Sequence, residues 1–143
     1  MVENLSKKRP SWDEYFKELA LLTSKRSTCP RLSVGCILVK DNRIISQGYN
    51  GYLSGLPHIP IIRDNHNIGT IHAEQNSIID CAKRGVSCDN SIAYITHYPC
   101  LNCFKTLASS GIKQIYYINN YNNDKEVENL SKLTNINICQ LID

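Results

Sequence analysis

Two short segments of the sequence carry side chains that bind metals and transfer protons. They are residues 72–74 (His-Ala-Glu) and residues 99–103 (Pro-Cys-Leu-Asn-Cys). Zinc prefers thiolate and imidazole ligands, and a catalytic zinc ion has three protein ligands and one open position. His72, Cys100 and Cys103 form such a set. Glu74 lies two residues from a ligand and is not needed as one, so we expect it to transfer protons to and from a water molecule at the metal.

Both segments lie at the start of a predicted helix, one over residues 71–84 and one over 100–110. Cys100 and Cys103 are three residues apart, so they share one helix face, and a helix N-terminus favours their thiolates. Each motif alone is weak evidence, because C-x-x-C pairs also occur in thiol oxidoreductases and a lone His-x-Glu is uninformative. Their combination, in this order and with a proline before the first cysteine, is the signature of zinc-dependent nucleobase deaminases.

The rest of the sequence predicts the elements that position these residues. Residues 11–22 follow the helical period behind Ser11, a good N-cap. Residues 34–40 and 43–49 flank Asp41-Asn42, which predicts a β-hairpin with a two-residue turn. Residues 50–70 follow neither period and form a connection long enough to be functional. Further strands are predicted over 91–96, 112–119 and 136–139, with a short helix over 127–132. This order predicts one sheet covered on both faces.

Length and composition predict one domain over residues 1–143, with residues 1–10 as a flexible tail. No segment approaches the roughly 20 consecutive apolar residues of a membrane span. The net charge of +3 is too mild for a dedicated nucleic-acid binder. The seven cysteines do not form the pattern of a disulfide framework, which fits a reducing compartment. We therefore expect a cytoplasmic protein with a small anionic ligand and no nucleic-acid or membrane partner.

Beyond the metal motif, the chain resembles the deoxycytidylate (dCMP) deaminases of the cytidine deaminase-like superfamily. The segments concerned are residues 12–16 (Trp-Asp-Glu-Tyr-Phe), 26–31 (Arg-Ser-Thr-Cys-Pro-Arg) with Val34-Gly35, 48–51 (Gly-Tyr-Asn-Gly), 72–78 (His-Ala-Glu-Gln-Asn-Ser-Ile) and 110–112 (Ser-Gly-Ile). The resemblance extends from residue 12 to about residue 121, most of the chain. The zinc motif marks the superfamily, and the Gly-Tyr-Asn-Gly segment is typical of the dCMP branch.

The resemblance implies a three-layer α/β/α sandwich around a five-stranded mixed sheet, with Zn²⁺ held between two helix N-termini. It implies hydrolysis of dCMP to dUMP with release of ammonia, which supplies dUMP for dTTP synthesis. By this resemblance His72, Cys100 and Cys103 are the zinc ligands and Glu74 is the proton shuttle. The backbone N–H of Ala73 is then expected at the pyrimidine carbonyl. Asn50 is expected at the sugar or the base.

The resemblance also bears on assembly and regulation. Members of this family are commonly hexamers, activated by dCTP with Mg²⁺ and inhibited by dTTP. A homo-oligomer is therefore expected, with effector sites near subunit contacts and the Gly-Tyr-Asn-Gly loop. Tyr49, Asn50 and Tyr52 are candidate effector-site residues, because their rings can stack on a base and the neighbouring glycines permit backbone movement.

Two arginines and three possible metal ligands complete the candidate residues. Arg26 and Arg31 lie just before the first strand, where they are candidates to bind a 5′-phosphate bidentately. Some relatives bind a second, structural zinc, for which Cys29, His58 and His66 are the candidates here; we do not expect that site. The remaining cysteines are predicted to pack in the interior: Cys36, Cys81, Cys88 and Cys139.

Three alternatives to dCMP deamination stay open at this point. The substrate could be another cytosine nucleotide or nucleoside, such as dCTP or cytidine, or adenosine in tRNA. The chain could be a non-catalytic regulator that binds nucleotides and keeps zinc for folding, although such a site would not need Glu74. A thiol oxidoreductase is the third alternative, but it has no use for the His-x-Glu segment.

Overall fold

The computed structural model describes residues 7–142, and a five-stranded sheet lies at its centre. Four helices are formed: α1 (Trp12–Ser24), α2 (Ala73–Arg84), α3 (Leu101–Ser109) and α4 (Lys125–Thr134). The strands of the central sheet are β1 (Gly35–Lys40), β2 (Arg43–Tyr49), β7 (Ile92–His97), β8 (Gln114–Asn119) and β9 (Asn137–Gln140). Four two-residue strands lie between β2 and α2: β3 (Gly51–Tyr52), β4 (Ile62–Arg63), β5 (His66–Asn67) and β6 (Thr70–Ile71).

The central sheet is mixed, in the order β2-β1-β7-β8-β9. β1 runs antiparallel to both β2 and β7, whereas β7, β8 and β9 run parallel to one another. Asp41 and Asn42 join β1 to β2 with φ angles of 51° and 59°. Two consecutive positive φ angles are typical of a type I′ turn, whose twist matches that of the flanking strands. The predicted hairpin and the mixed five-stranded sheet are confirmed.

The two faces of the sheet are covered unequally. On one face, α2, α3 and α4 pack their apolar side chains against alternate residues of the strands, among them Leu38, Ile95 and Ile115. On the other face, α1 is the helix among the described residues that packs against the strands, placing Phe16 and Ala20 on the intervening residues of β1 and β7. The period-two alternation of each strand supplies one apolar set to each face. The predicted α/β/α sandwich is confirmed, with three helices on one side and one on the other.

Some predicted boundaries need correction. The helix predicted over residues 71–84 begins at Ala73, because Ile71 belongs to strand β6 and pairs with Gly51 of strand β3. The strand predicted over 112–119 begins at Gln114. The packing prediction for Cys139 is wrong: it lies on the edge strand β9 and is exposed, whereas Cys36 and Cys81 are buried.

The predicted tail over residues 1–10 falls mainly on residues 1–6, which lie outside the described residues. Residues 7–10 are exposed and belong to neither a helix nor a strand. Between residues 7 and 142, no helix has both the length and the apolar character needed to cross a bilayer.

Candidate active site and metal centre

The N-termini of α2 and α3 bring the three predicted metal ligands together. His72 is the N-cap of α2 and Cys100 is the N-cap of α3, each with an extended backbone. The carbonyl groups of both residues accept the first hydrogen bond of their helix, from Asn76 and Phe104, at 2.9 Å each. The two side chains are therefore held at the N-termini of the two helices. Cys103 follows one turn into α3 and is fully buried.

The donor atoms of His72, Cys100 and Cys103 all lie within 4.8 Å of one another. Nδ1 of His72 is 3.2 Å from Sγ of Cys103 and 3.7 Å from Sγ of Cys100. Nδ1 is therefore the ring nitrogen that faces both sulfur atoms. Within the described part of the chain, no other group of three or more His, Cys, Asp or Glu side chains is arranged in this way.

The charges at this cluster favour a thiolate. A hydrogen bond from Cys103, together with one from His72, lowers the pKa of Cys100 to about 4. The same bond to Cys100, with burial, raises the pKa of Cys103 above its ordinary value. The hydrogen bond to Cys100 also raises the pKa of His72. The hydrogen bonds within the cluster therefore favour the thiolate form of Cys100, which is the form that binds a metal ion.

The donor set fits zinc. Two sulfur donors and one imidazole nitrogen are the ligands that zinc prefers, and three protein ligands leave the fourth tetrahedral position open. A structural zinc site is normally closed by a fourth protein ligand. Among the described residues the fourth ligand is missing, and the open side faces a cavity. The arrangement is therefore that of a catalytic zinc site.

Glu74 lies beside this cluster in the first turn of α2. It is only 4% exposed, and burial raises the pKa of its carboxyl group. Its carbonyl group accepts a 2.7 Å hydrogen bond from the Ser77 hydroxyl, which fixes the backbone of the turn. A buried carboxyl group beside a set of metal ligands is suited to take up a proton from a bound water molecule and to return it.

A cavity of about 440 Å³ opens above the cluster, within the usual range for small-molecule sites. We call the residues at the two helix starts the floor. Four of them line the cavity, His72, Ala73, Glu74 and Cys100, and Cys103 completes the metal centre. We call the lining residues of segments 29–32 and 66–70, together with Tyr121, the rim: Cys29, Arg31, Leu32, His66, Asn67, Ile68, Thr70 and Tyr121. The wall between floor and rim consists of Val34, Asn50, His97 and Tyr98.

The two predicted phosphate-binding arginines are not brought together. Arg31 lies in the rim of the cavity. Arg26 is absent from the lining, and its guanidinium group lies 5.7 Å from the centre of the Tyr49 ring. Such a cation–π contact orients Arg26 along the surface of the hairpin. Of the two, only Arg31 is placed where it can contact a ligand in the cavity.

Asn50 is 8% exposed and its side chain is engaged with the protein itself. Its Oδ1 accepts hydrogen bonds from the Val34 N–H and the Ser27 hydroxyl, at 2.8 and 2.6 Å. Its Nδ2 donates to the Leu32 carbonyl at 2.7 Å. Asn50 therefore holds the segment that carries Arg31 against the end of β2. Ala73, the other predicted contact, is fully buried at the floor.

Neither of the two candidate effector-site tyrosines lines the cavity. The Tyr52 hydroxyl accepts a 3.0 Å hydrogen bond from Asn67, a rim residue, and its ring stacks on His58 with the centroids 5.6 Å apart. His66 and Cys29 lie in the rim. Within residues 7–142, they do not form a group with His58 that could hold a metal ion.

Several lining residues were missed by the sequence analysis, among them His97 and Tyr121. His97 is the last residue of β7, two positions beyond Ile95, so the strand alternation places it on the face that carries α2 and α3. Tyr121 follows β8, and its ring lies edge-on to His97 with the centroids 5.9 Å apart. The alternation was a usable signal for His97, whereas the loop position of Tyr121 gave none.

Fold and site together define a zinc-dependent deaminase, with a Cys₂His donor set and a buried carboxyl group at two helix N-termini. Residues 10–119 match the sequence model of the family described as cytidine and deoxycytidylate deaminase zinc-binding region. The match covers most of the chain, so the chain belongs to this family.

Relatives within the family are similar over most of this chain. ComE operon protein 2 of Bacillus subtilis is 41% identical over 137 residues, which cover 93% of this chain and 72% of that protein. The deoxycytidylate deaminase of Schizosaccharomyces pombe is 34% identical over 97% of this chain, which spans only 47% of the yeast enzyme. The structure of the dCMP deaminase from cyanophage S-TIM5 in complex with dCMP and dUMP gives a TM-score of 0.83 at 32% identity. That comparison covers 94% of this chain and 100% of the phage chain.

Proposed function

We propose that this chain hydrolyses dCMP to dUMP and ammonia as a single zinc-dependent deaminase domain. The observation that carries the proposal is the Cys₂His donor set beside the buried Glu74, at the floor of a cavity of nucleotide size. The similarity to an enzyme whose structure contains dCMP and dUMP supports this choice of substrate over other cytosine compounds.

In this proposal each floor residue has a distinct task. His72, Cys100 and Cys103 hold the zinc ion, and the bound ion supplies the Lewis acidity that makes water nucleophilic at neutral pH. Glu74 takes a proton from the water that adds to C4 of the cytosine ring. It gives this proton to N3. It then takes the second proton of the water from the new C4 hydroxyl group and gives it to the amine, so that the C4–N bond breaks, ammonia leaves and the C4 carbonyl group forms. The Ala73 N–H lies in the first turn of α2, where backbone donors have no intrahelical partner, and donates to the pyrimidine carbonyl.

The rim and wall orient the rest of the nucleotide. Arg31 is the proposed partner of the 5′-phosphate, because it is the predicted arginine that lines the cavity. Asn50 acts on the sugar or base chiefly through the segment that it fixes, since both ends of its amide group bind protein atoms.

We also propose a cytoplasmic homo-oligomer, hexameric by family resemblance, that responds to dCTP with Mg²⁺. The feature that supports the response to an effector is the contact between Asn67 in the rim and Tyr52, which directly follows the Gly-Tyr-Asn-Gly segment. Light scattering should detect an oligomer, and dCMP titrations should change from sigmoidal towards hyperbolic when dCTP and Mg²⁺ are added. A monomer with hyperbolic kinetics that do not change with dCTP or dTTP would contradict the proposed assembly and regulation, but not the proposed deaminase activity.

The deaminase proposal is tested by zinc content and substrate choice together. Purified protein should hold about one zinc ion per chain, and Cys100→Ala should lose it with nearly all activity. Cys139→Ala, at an exposed cysteine of the edge strand, is the matched control and should keep both. Steady-state rates should favour dCMP over dCTP, deoxycytidine and cytidine. Zinc without turnover of any of these compounds would instead favour a non-catalytic regulator.

A further inference from the structure

His97 lies in the wall of the cavity, although the mechanism above gives it no task. It follows Ala93 and Ile95 on the strand face that carries the metal centre, and it lines the cavity together with Arg31 and Tyr121. The Tyr121 ring, edge-on at an interplanar angle of 81°, restricts rotation of the imidazole. The side chain is therefore held in a defined orientation against the space that a ligand would fill.

The hydroxyl group of Thr96 determines which nitrogen of His97 carries the proton. Thr96 is 1% exposed, and its Oγ1 accepts a 3.0 Å hydrogen bond from the Gly35 N–H. Its own proton cannot reach solvent, so it needs an acceptor inside the protein. Nδ1 of His97, at 2.8 Å, is the acceptor that the described residues offer to this hydroxyl group.

This arrangement makes His97 a neutral donor. Because Nδ1 accepts from Thr96, the ring proton lies on Nε2. Burial lowers the pKa of His97 below its ordinary value, so the ring stays uncharged at neutral pH. A neutral imidazole with a fixed tautomer presents one hydrogen-bond donor, and in this case the donor is on the nitrogen that Thr96 leaves free.

We propose that His97 donates a hydrogen bond from Nε2 to the 3′-hydroxyl group or the 5′-phosphate of the nucleotide, and that Thr96 positions it for this. The inference rests on the proposed function, since a cytosine ring bound at the floor directs the sugar and phosphate towards the wall and rim. Arg31 in the rim contributes a positive charge, whereas His97 contributes one hydrogen-bond donor with a fixed orientation. The two acceptors to be distinguished for Nε2 of His97 are the 3′-hydroxyl group and the phosphate.

Kinetics of two variants of the zinc-loaded enzyme test the contact. His97→Phe keeps a ring without a donor, and His97→Gln keeps an N–H donor. With dCMP, His97→Phe should raise KM about 10-fold and leave kcat within about 2-fold of the wild type. His97→Gln should recover most of that loss. An unchanged KM in His97→Phe, or no recovery in His97→Gln, overturns the proposal.

A comparison of dCMP, deoxycytidine and the 2′,3′-dideoxy analogue of dCMP distinguishes the two possible acceptors. If the phosphate accepts, the penalty of His97→Phe should vanish with deoxycytidine and persist with the 2′,3′-dideoxy analogue of dCMP. If the 3′-hydroxyl group accepts, the pattern should be reversed. Either pattern supports the proposal. An equal penalty on all three substrates means that His97 only supports the fold, and it overturns the proposal.

The tautomer has a readout that does not depend on turnover. In ¹⁵N NMR spectra of the zinc-loaded protein, His97 should show an unprotonated Nδ1 and a protonated Nε2. Thr96→Val should lose this signature and Thr96→Ser should keep it. If the wild type fails to turn over dCMP, the proposed function fails, and calorimetric binding of dCMP to the wild type and to His97→Phe then decides this inference. Equal binding, or a proton on Nδ1, overturns it.

Discussion

The floor of the cavity lies on regular secondary structure, whereas its rim lies on loops and two-residue strands. Each floor residue occupies the start of a helix that packs on the central sheet, as shown by the fully buried Ala73 and Cys103. The rim borders a segment whose apolar side chains remain largely in solvent, among them Leu56 at 54% and Ile62 at 62% exposure. Floor residues are therefore fixed by packing that the whole domain shares, and rim residues by a few local hydrogen bonds.

This difference separates two kinds of task. Proton transfer at a metal requires donor atoms held within a fraction of an ångström, which helix ends on a packed sheet provide. Ligand entry requires a boundary that can move, and segments with few buried contacts open at low free-energy cost. We therefore expect floor substitutions to act on chemistry and stability, and rim substitutions to act mainly on KM.

The largest effect is expected from Glu74→Gln at the floor. The amide keeps the size of the side chain but cannot take up a proton, so kcat should fall about 100- to 10,000-fold. Zinc content and the circular dichroism spectrum should stay unchanged, because Glu74 does not belong to the donor group. Glu18→Gln, at an exposed position of α1, is the control and should match the wild type. A Glu74→Gln enzyme with near-normal kcat contradicts the assigned proton transfer.

A smaller effect, on stability, is expected from Gly48→Ala beneath the floor. A Cβ atom at Gly48 would lie 2.5 Å from both the Ala73 carbonyl oxygen and the Ser77 nitrogen. Both atoms belong to the backbone of α2, so the helix itself must shift. The free energy of unfolding in urea should fall by about 1–3 kcal/mol, and zinc affinity should fall with it.

Gly69→Ala, next to the rim, is the matched control for Gly48→Ala. Its new Cβ atom would meet the ends of the Asn67 and Ile61 side chains at 3.3 Å, and these can move. The expected loss is below about 1 kcal/mol. Equal losses in the two variants would mean that floor and rim are held with similar rigidity, contrary to the comparison above.

The same division explains what the sequence could and could not predict. The floor was predictable because metal ligands, caps and apolar periods are local signals, and His72, Cys100 and Cys103 are brought together as expected. The rim was not, because a segment without either period does not reveal which side chains turn inward. Arg26 and Arg31 were both candidates from the sequence, and the path of the loop places Arg31, but not Arg26, in the lining. For His97 the strand alternation was a usable signal, but the hydrogen bonds that join Gly35, Thr96 and His97 depend on the tertiary structure.

Arg31→Ala tests the rim with a moderate expected effect. Loss of a charge-assisted contact to the phosphate should lower kcat/KM for dCMP about 10-fold. Deoxycytidine lacks the phosphate, so its kcat/KM should change by less than about 2-fold. Arg26→Ala, whose guanidinium lies over Tyr49 outside the lining, is the control and should change neither value by more than about 3-fold. A larger loss in Arg26→Ala than in Arg31→Ala would reverse the assignment.

The smallest effect is expected from Tyr52→Phe, behind the rim. The change removes the hydroxyl group that accepts from Asn67 but keeps the ring that stacks on His58. Asn67 also accepts from the Ile61 and Gly69 N–H groups, so the rim keeps two of these three hydrogen bonds. Since a single neutral hydrogen bond contributes about 0.5–1.5 kcal/mol, KM for dCMP should rise only a few-fold, with kcat unchanged.

Tyr49→Phe is the matched control for Tyr52→Phe, because it also removes one hydroxyl group while keeping the ring beneath Arg26. It should leave KM at the wild-type value. The hydroxyl group of Tyr52 contacts the cavity lining through the side chain of Asn67 in the rim. Its removal should therefore leave Glu74 and the metal ligands at the helix starts in place. A fall in kcat of about 10-fold or more in Tyr52→Phe would therefore mean that movement of the rim limits turnover. In that case the rim would affect turnover as well as binding, and the division of tasks between floor and rim would not hold for the rate-limiting step.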